Sequence, residues 1–220
     1  MIMEPILISI KVALTATLFS LITGVLLARL FTKYSFKGKD LLEVLIILPM
    51  VLPPSITGYG LLILMGRRGL PGRLLYDAFG VSLVFTWAAA ALAAAVVSLP
   101  LMYQSCKSAF LNVNHLYENA ARTLGASEKR VFRKVTLPLA LPGIISGIVL
   151  AFSRALGEFG ATLMVAGNIP GKTGTIPLAI YFAVESGDTR TANILMIIVL
   201  FFSFSMIYSL NMWLKSKHYE

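Results

Sequence analysis

Five stretches of this chain contain no Asp, Glu, Lys or Arg: Val12 to Ala28, Val44 to Gly66, Ala78 to Cys106, Val135 to Ser153 and Thr191 to Leu214. Each is about as long as the roughly 20 apolar residues that carry a helix through bilayer hydrocarbon, or longer. Of the 220 residues, 57% are hydrophobic and only 13% charged, against about 25% charged in an ordinary soluble domain. Too little polar surface remains to solvate a compact globule. The expected fold is therefore an all-α polytopic membrane protein with five transmembrane helices. A sixth apolar stretch, Thr173 to Val184, is short and carries Pro177, and reads as interfacial or re-entrant.

The formal charge of +9 raises the question of nucleic acid, since clustered Lys and Arg neutralise phosphates. The distribution of the charges argues against it. With the N-terminus outside, the cytoplasmic segments hold Arg29, Lys33, Lys37, Lys39, Lys107, Arg122, Lys129, Arg130, Arg133, Lys134, Lys215 and Lys217, which is 12 of the 19 basic residues. That bias supports an N-out, C-in orientation. The first apolar run lacks a basic leader and is preceded by Glu4-Pro5, so it reads as a retained span, not a cleaved signal. The single cysteine, Cys106, excludes an intramolecular disulfide.

No linker and no repeat period interrupts the chain, so residues 1–220 read as one domain. Its most polar long interval, 107–137, lies between the third and fourth spans. Asn114 is placed to cap a short helix, Gly125 to end it in a left-handed conformation, and Ser127 to cap a second helix with Glu128 in its first turn. Leu116, Ala120, Leu124, Val131, Phe132 and Val135 give this helix-bend-helix element apolar contacts among charged neighbours. Such a surface suits docking into a protein groove; it also suits a loop lying on headgroups.

From Glu118 the chain reads ENAARTLGASEKRVFRKVTLPLALPG, which resembles the cytoplasmic EAA loop of ABC-importer permeases. That pattern is Glu-Ala-Ala, then a Gly, nine residues, and Ile-x-Leu-Pro. Here Ala120 and Ala121 precede Gly125, Ala126 to Lys134 follow, and Val135-Thr136-Leu137-Pro138 completes the spacing. The departure is Asn119 at the family's Glu position, with Glu118 displaced by one. Two longer stretches, FKGKDLLEVLIILPMVLPPSITGYGLLILMGRRG and SRALGEFGATLMVAGNIPGKTGTIPLAIY, are similar to the molybdate-type permeases of that family. The resemblance implies a homodimeric pore in the plasma or inner membrane and an extracytoplasmic oxyanion-binding protein that delivers molybdate. It also implies two separate ATPase subunits, holding ATP and Mg, docked on Glu118, Ala120, Ala121, Gly125, Ala126, Val131, Leu137 and Pro138. Tungstate and sulfate are tetrahedral dianions too, so the resemblance leaves them as alternatives.

Other motifs are weaker. Ala166 to Thr173 approximates G-x-x-x-x-G-K-S/T, but Ala166 replaces the first Gly and the segment follows an apolar helix where a phosphate loop needs a strand. An external turn is the better reading, and an active importer without its own nucleotide site needs a separate ATPase. His115 and His218 lack neighbouring ligands of metal spacing, and no G-x-S-x-G elbow occurs. The chain thus reads as a translocation subunit that is not itself an enzyme and carries no cofactor of its own. A secondary carrier or channel is the rival from another class, with intramembrane ionisable residues as its coupling groups; the EAA spacing and the scarcity of such residues stand against it.

Candidate translocation residues sit in two places. Pro49, Pro53 and Pro54 each remove a backbone donor from span two, and the freed groups need protein or a wet cavity to satisfy them. Beyond the break, Ser55, Ile56 and Thr57 are expected to open a half-helix whose free N–H groups suit an anion; a proline kink used only for packing is the alternative. In span four, Arg154 and Glu158 lie four apart and are expected on one helix face, roughly 24 and 30 Å up from Pro138. They read as a structural ion pair or interhelical tie, or more sharply as a gate. Gly157 and Gly160 beside Glu158 permit a bend or close crossing. Arg67, Arg68 and Arg73 in the second external loop suit either steering of anions and acidic partners or lipid headgroups.

Overall fold

A computed structural model describes residues 2–218, with side chains through Ser216; Lys217 and His218 are described by backbone alone. The fold is helical throughout these residues. Helix α1 (Met3–Lys33) places a stripe of small residues, including Ser9, Ala13, Ala16, Ser20 and Ala28, against its neighbours. Helix α5 (Trp87–Leu111) answers with buried Ala89, Ala90, Ala93 and Ala94. Without a hydrophobic driving force in lipid, helix pairs associate through such close contacts and through polar ties. Here the Ser20 hydroxyl donates to the Ala95 carbonyl at 3.2 Å and lies 3.0 Å from that of Ser98.

Helix α8 (Leu137–Leu156) packs against both α5 and α1. The three helices enclose two apolar clusters. One, at the Met3 end, joins Val12, Ala13 and Ala16 to Ala89 through Ala95, Leu156 and Val165. The other, at the Lys33 end, joins Ala28 and Phe31 to Met102, Tyr103, Cys106, Phe110 and Ile144.

Span two is not one helix. The direction of the chain bends by 116° between helices α2 (Lys39–Val51) and α3 (Pro54–Met65). Leu52 and Pro53 take extended ψ values of 142° and 136°, and Pro54 opens α3, where its missing N–H is no loss. Ile46 packs on the Lys33-end cluster, whereas Leu61, Leu62 and Met65 belong with the Met3-end cluster. Each half of the pair therefore packs on a different end of the core.

Three expected boundaries move. The run from Ala78 is not a single span: Gly80, at φ 66°, ends α4 (Leu70–Phe79), and α5 begins only at Trp87, capped by the Thr86 hydroxyl accepting from the Ala89 N–H. Span four begins before Val135, because α7 (Glu128–Val131) continues through a π-helical turn at Phe132–Thr136 into α8. Pro138 has no N–H to give the ladder, and the widened turn directly precedes it. At its far end α8 stops at Leu156, short of Glu158.

Helices α9 (Gly160–Ala166) and α10 (Ile176–Glu185) follow. Ten residues reach about 15 Å, half the hydrocarbon thickness, so α10 is too short to cross it. The Ile176 N–H donates to Ser9 Oγ at 2.7 Å, fixing the start of α10 to the first turns of α1. Helix α11 (Thr189–His218) then runs past α8, with Phe202 near Phe152. Four helical segments are long and apolar enough to cross a membrane, and the count is five if the bent α2–α3 pair is one broken span.

Candidate functional site

The interval between α5 and α8 folds around one glycine. Asn114 Oδ1 accepts from the Leu116 N–H at 2.9 Å and starts α6 (His115–Thr123). Gly125 takes φ +81°, where a side chain is disfavoured. The N–H groups of Gly125 and Ala126 then close the helix end on the carbonyls of Arg122 and Ala121, in the manner of a glycine C-cap. Ser127 begins α7 through its backbone carbonyl, which accepts from Arg130 and Val131; the expected hydroxyl cap is not made. Nor is the second arm a free helix, since it is continuous with the span above it.

Glu118 is buried, although its neighbours Asn119 and Ala120 are exposed. Its Oε1 accepts the Thr136 hydroxyl, so α6 is tied to the π turn at the base of α8. Oε2 lies 3.4 Å from His115 Nδ1 and 3.6 Å from Arg122. Burial pushes the Glu118 carboxyl up, but the hydrogen bonds from Thr136 and His115 and the charges of Arg122 and Arg29 together hold it below the ordinary glutamate value. Arg122 also pairs with Glu128 at 2.6 Å and donates to Asn119 Oδ1 at 2.8 Å. Glu128 receives Lys33 from the end of α1 at 3.2 Å. Asn119 thus steadies Arg122, while Glu118 makes the buried tie.

Val131 is buried, Leu137 is half-buried on the Lys33-end cluster, and Pro138 is exposed. Leu116, Tyr117 and Leu124 are 72%, 60% and 87% exposed. The element therefore presents an uncovered apolar face flanked by basic residues. Apolar groups displayed together in this way are characteristic of protein- or membrane-interaction sites.

The second group of candidates converges on the break in span two. Arg154 Nη1 meets Glu158 Oε2 at 2.7 Å, and Glu158 is 2% exposed. The two do not share the face of one helix, because α8 ends between them at Leu156. The other carboxylate oxygen, Oε1, accepts the Ala161 N–H at 2.8 Å, so Glu158 joins the end of α8 to the first turn of α9. A Cβ on Gly160 would meet Pro54 Cβ at 2.9 Å, and one on Gly58 would meet Ala161 Cα at 2.8 Å. Helix α9 therefore lies directly on α3, bringing Pro54, Thr57 and Glu158 into one neighbourhood.

Pro53, Pro54 and Ser55 are exposed there. Thr57 and, across the contact, Thr162 are buried with hydroxyls that find no partner within the protein. The half-helix start offers fewer free donors than expected: the Ile56 and Thr57 N–H groups both bond to the Pro53 carbonyl, at 2.9 and 3.2 Å. Only Ser55 remains free, as Pro54 has no N–H.

The loop of residues 167–175 is built as a turn. It follows α9, and buried Thr173 accepts from the Ile169 N–H and donates to the Gly167 carbonyl, which commits the hydroxyl a phosphate loop would need for its cation. Arg67 stacks on Tyr76 and Arg73 pairs with Asp77, while Arg67 and Arg68 line a cavity of about 570 Å³ at the Met3 end. Among the described residues no cluster of His, Cys, Asp and Glu has the geometry of a metal site. One tie escaped sequence reasoning altogether: Glu43 of α2 pairs with Lys107 of α5, beside the buried Tyr103 hydroxyl. The partners are 64 positions apart; the only available signal was that each is an ionisable residue at the end of an apolar run.

Residues 20–215 match the family model described as binding-protein-dependent transport system inner membrane component. The chain is 48% identical to the molybdenum transport system permease protein of Escherichia coli (strain K12) over 208 residues, covering 94% of this chain and 91% of that one. It is 42% identical to the Haemophilus influenzae protein of the same name over 212 residues, 96% and 92% of the two chains. A sulfate transport system permease protein of Salmonella typhimurium is 35% identical over 93% of this chain and 73% of its own. In three dimensions the chain resembles a solved inward-facing methionine ABC transporter with a TM-score of 0.73 at 14% identity, over 98% and 95% of the chains, a likeness in fold.

Proposed function

This chain belongs to the family of binding-protein-dependent transport system inner membrane components, and on that premise we propose that it is the membrane-spanning permease of a molybdate importer. The observation that carries the substrate is its 48% identity, over nearly its whole length, to a molybdenum permease, against 35% to a sulfate permease. Two copies form the pore, N-terminus out and C-terminus in. An oxyanion-binding protein delivers the substrate outside, and two ATPase subunits holding ATP and Mg sit below. The single domain of residues 1–220 contributes conformational coupling and no hydrolysis.

In this reading the ATPase receives the exposed apolar face of α6, with Glu118, Ala120, Ala121, Gly125 and Ala126 giving that face its angle and Val131, Leu137 and Pro138 anchoring it to the span above. Because Glu118 is bonded to Thr136, and Glu128 to Lys33, movement of α6 is felt at the feet of both α8 and α1. At the far end of α8, Arg154 and Glu158 pass the movement to α9, which lies on α3 beside Pro53, Pro54, Ser55 and Thr57. The pathway is expected along that exposed break, with the Ser55 N–H and the Ser55 and Thr57 hydroxyls as polar contacts for a tetrahedral dianion. Uptake of labelled molybdate, tungstate and sulfate into vesicles holding the whole assembly tests the assignment. Molybdate uptake that depends on ATP and on the binding protein is expected; preference for sulfate, or uptake with no ATPase present, overturns it.

A further inference from the structure

Lys11 lies 22 positions before Lys33 on one continuous helix, about 33 Å along the axis. With Lys33 among the headgroups of one leaflet, Lys11 falls at the headgroups of the other. No carboxylate of the described residues lies within 4 Å of it; instead its ammonium sits 3.6 Å over the Trp87 ring. Both residues line a cavity of about 440 Å³ whose other cation is Lys172, with Phe85, Thr86 and Gly171 completing the wall. One carboxylate borders the same wall: Glu4 Oε2 lies 3.7 Å from where a Cβ on Gly171 would stand.

Trp87 is shared with a second cavity, of about 160 Å³, lined by Thr15, Phe19, Ala88, Ala91, Leu92 and Ala95. Lys11, Thr15 and Phe19 are successive fourth residues and share one face of α1, while Ala88, Ala91 and Ala95 share one face of α5. The side chains are small on one wall and apolar below the lysine, so a groove runs from a doubly cationic mouth down between two spans. Its polar part lies at headgroup depth and its apolar part at acyl-chain depth.

We propose that this groove holds an anionic phospholipid of the Met3-end leaflet, the phosphate between Lys11 and Lys172 and one acyl chain along Thr15, Phe19 and the α5 alanines. An unpaired ammonium at the membrane edge gains from an anionic phosphate, and the Trp87 ring at that depth suits the interface. The site is independent of what the protein transports.

The test uses the full-length permease with its ATPase in nanodiscs, on a Trp213→Phe background that leaves Trp87 as the permease's own fluorophore, and subtracts the signal of the ATPase alone. Lipids with brominated acyl chains quench a tryptophan they touch. At equal mole fraction, brominated phosphatidylglycerol is expected to occupy the groove in preference to brominated phosphatidylcholine by roughly thirtyfold, from two cations each favouring an anionic headgroup. Lys11→Gln with Lys172→Gln removes the preference. Ala91→Phe, which fills the groove and keeps both charges, lowers quenching by both lipids. Equal quenching by the two lipids overturns the proposal. So does inorganic phosphate shifting Trp87 emission in phosphatidylcholine discs and abolishing the phosphatidylglycerol preference, which would make the mouth a site for free oxyanions.

Discussion

Gly160 lies so close to Pro54 that a methyl group on the glycine would meet the proline Cβ at 2.9 Å. Through that contact the end of span four rests on the break in span two, and the α9 N-terminus held by Glu158 stays in register with α3. Gly160→Val forces the two apart, an overpacking cost of about 1–3 kcal/mol. Transport is expected to fall at least tenfold while the ATPase still co-purifies, since the coupling element lies at the other end of α8. Uptake and pull-down from the same membranes check this.

The pathway itself is tested by bulk at the break, at exposed Ser55 and at Thr57 buried behind it. Ser55→Trp and Thr57→Trp are each expected to slow uptake and to leave assembly with the ATPase intact. Wild-type uptake in both variants places the anion elsewhere.

Glu118 gives the coupling element a pH dependence. Its carboxyl has a folded pKa below the ordinary value near 4.3, so the tie to Thr136 adds stability that is present in full above the unfolded value and is lost as pH falls through the folded one. Protection of the α6 amides, taken relative to their intrinsic exchange rate at each pH, is expected to fall on acidification below that range. Glu118→Gln removes this component of the pH response, while Thr136→Val raises exchange at neutral pH because the buried carboxylate loses a donor.

How much of this was legible in sequence depends on distance along the chain. The apolar runs located α1, α8 and α11, Pro53 and Pro54 located the break, and Gly125 with Asn114 located the bend, because each signal lies within a few residues of its effect. The α4–α5 boundary was hidden: Ala78 to Cys106 carries no charge, and hydropathy cannot register Gly80 turning left-handed or Thr86 capping a helix. Glu158 was placed on span four because spacing of four is also kept across a helix end. The pairs Glu43 with Lys107, Glu118 with Thr136 and Gly160 with Pro54 are made by packing between elements, and no local periodicity reports them.

Glu43 and Lys107 form the polar tie of α2, a helix with no fully buried side chain. Both partners keep some solvent contact, so the expected cost of Glu43→Gln or Lys107→Met alone is on the order of 1 kcal/mol. The double variant is expected to recover part of it, as no charge is then left unpaired. Thermal aggregation of the four proteins in detergent gives the cycle; additive losses contradict a direct tie.

Orientation follows from the charge distribution and is checked with single cysteines. Lys37→Cys and Ser216→Cys are expected to react with an impermeant reagent from the cytoplasmic side, and Asp77→Cys and Pro170→Cys from outside. Labelling of the Ser216 site from outside contradicts the five-span, N-out and C-in arrangement.

The central claim is that the bend at Gly125 sets the angle at which the permease meets its ATPase. No atom of the permease would obstruct a Cβ there, so within this chain Gly125→Val costs only the left-handed backbone, about 1 kcal/mol. The spans are expected to insert and pack as before. The direct measurement is one membrane preparation of this variant in which permease amount, co-purified ATPase and substrate-stimulated ATP hydrolysis are all determined. An unchanged amount of permease with weakened co-purification and no stimulated hydrolysis is the predicted result, and normal stimulation in the valine variant contradicts the account.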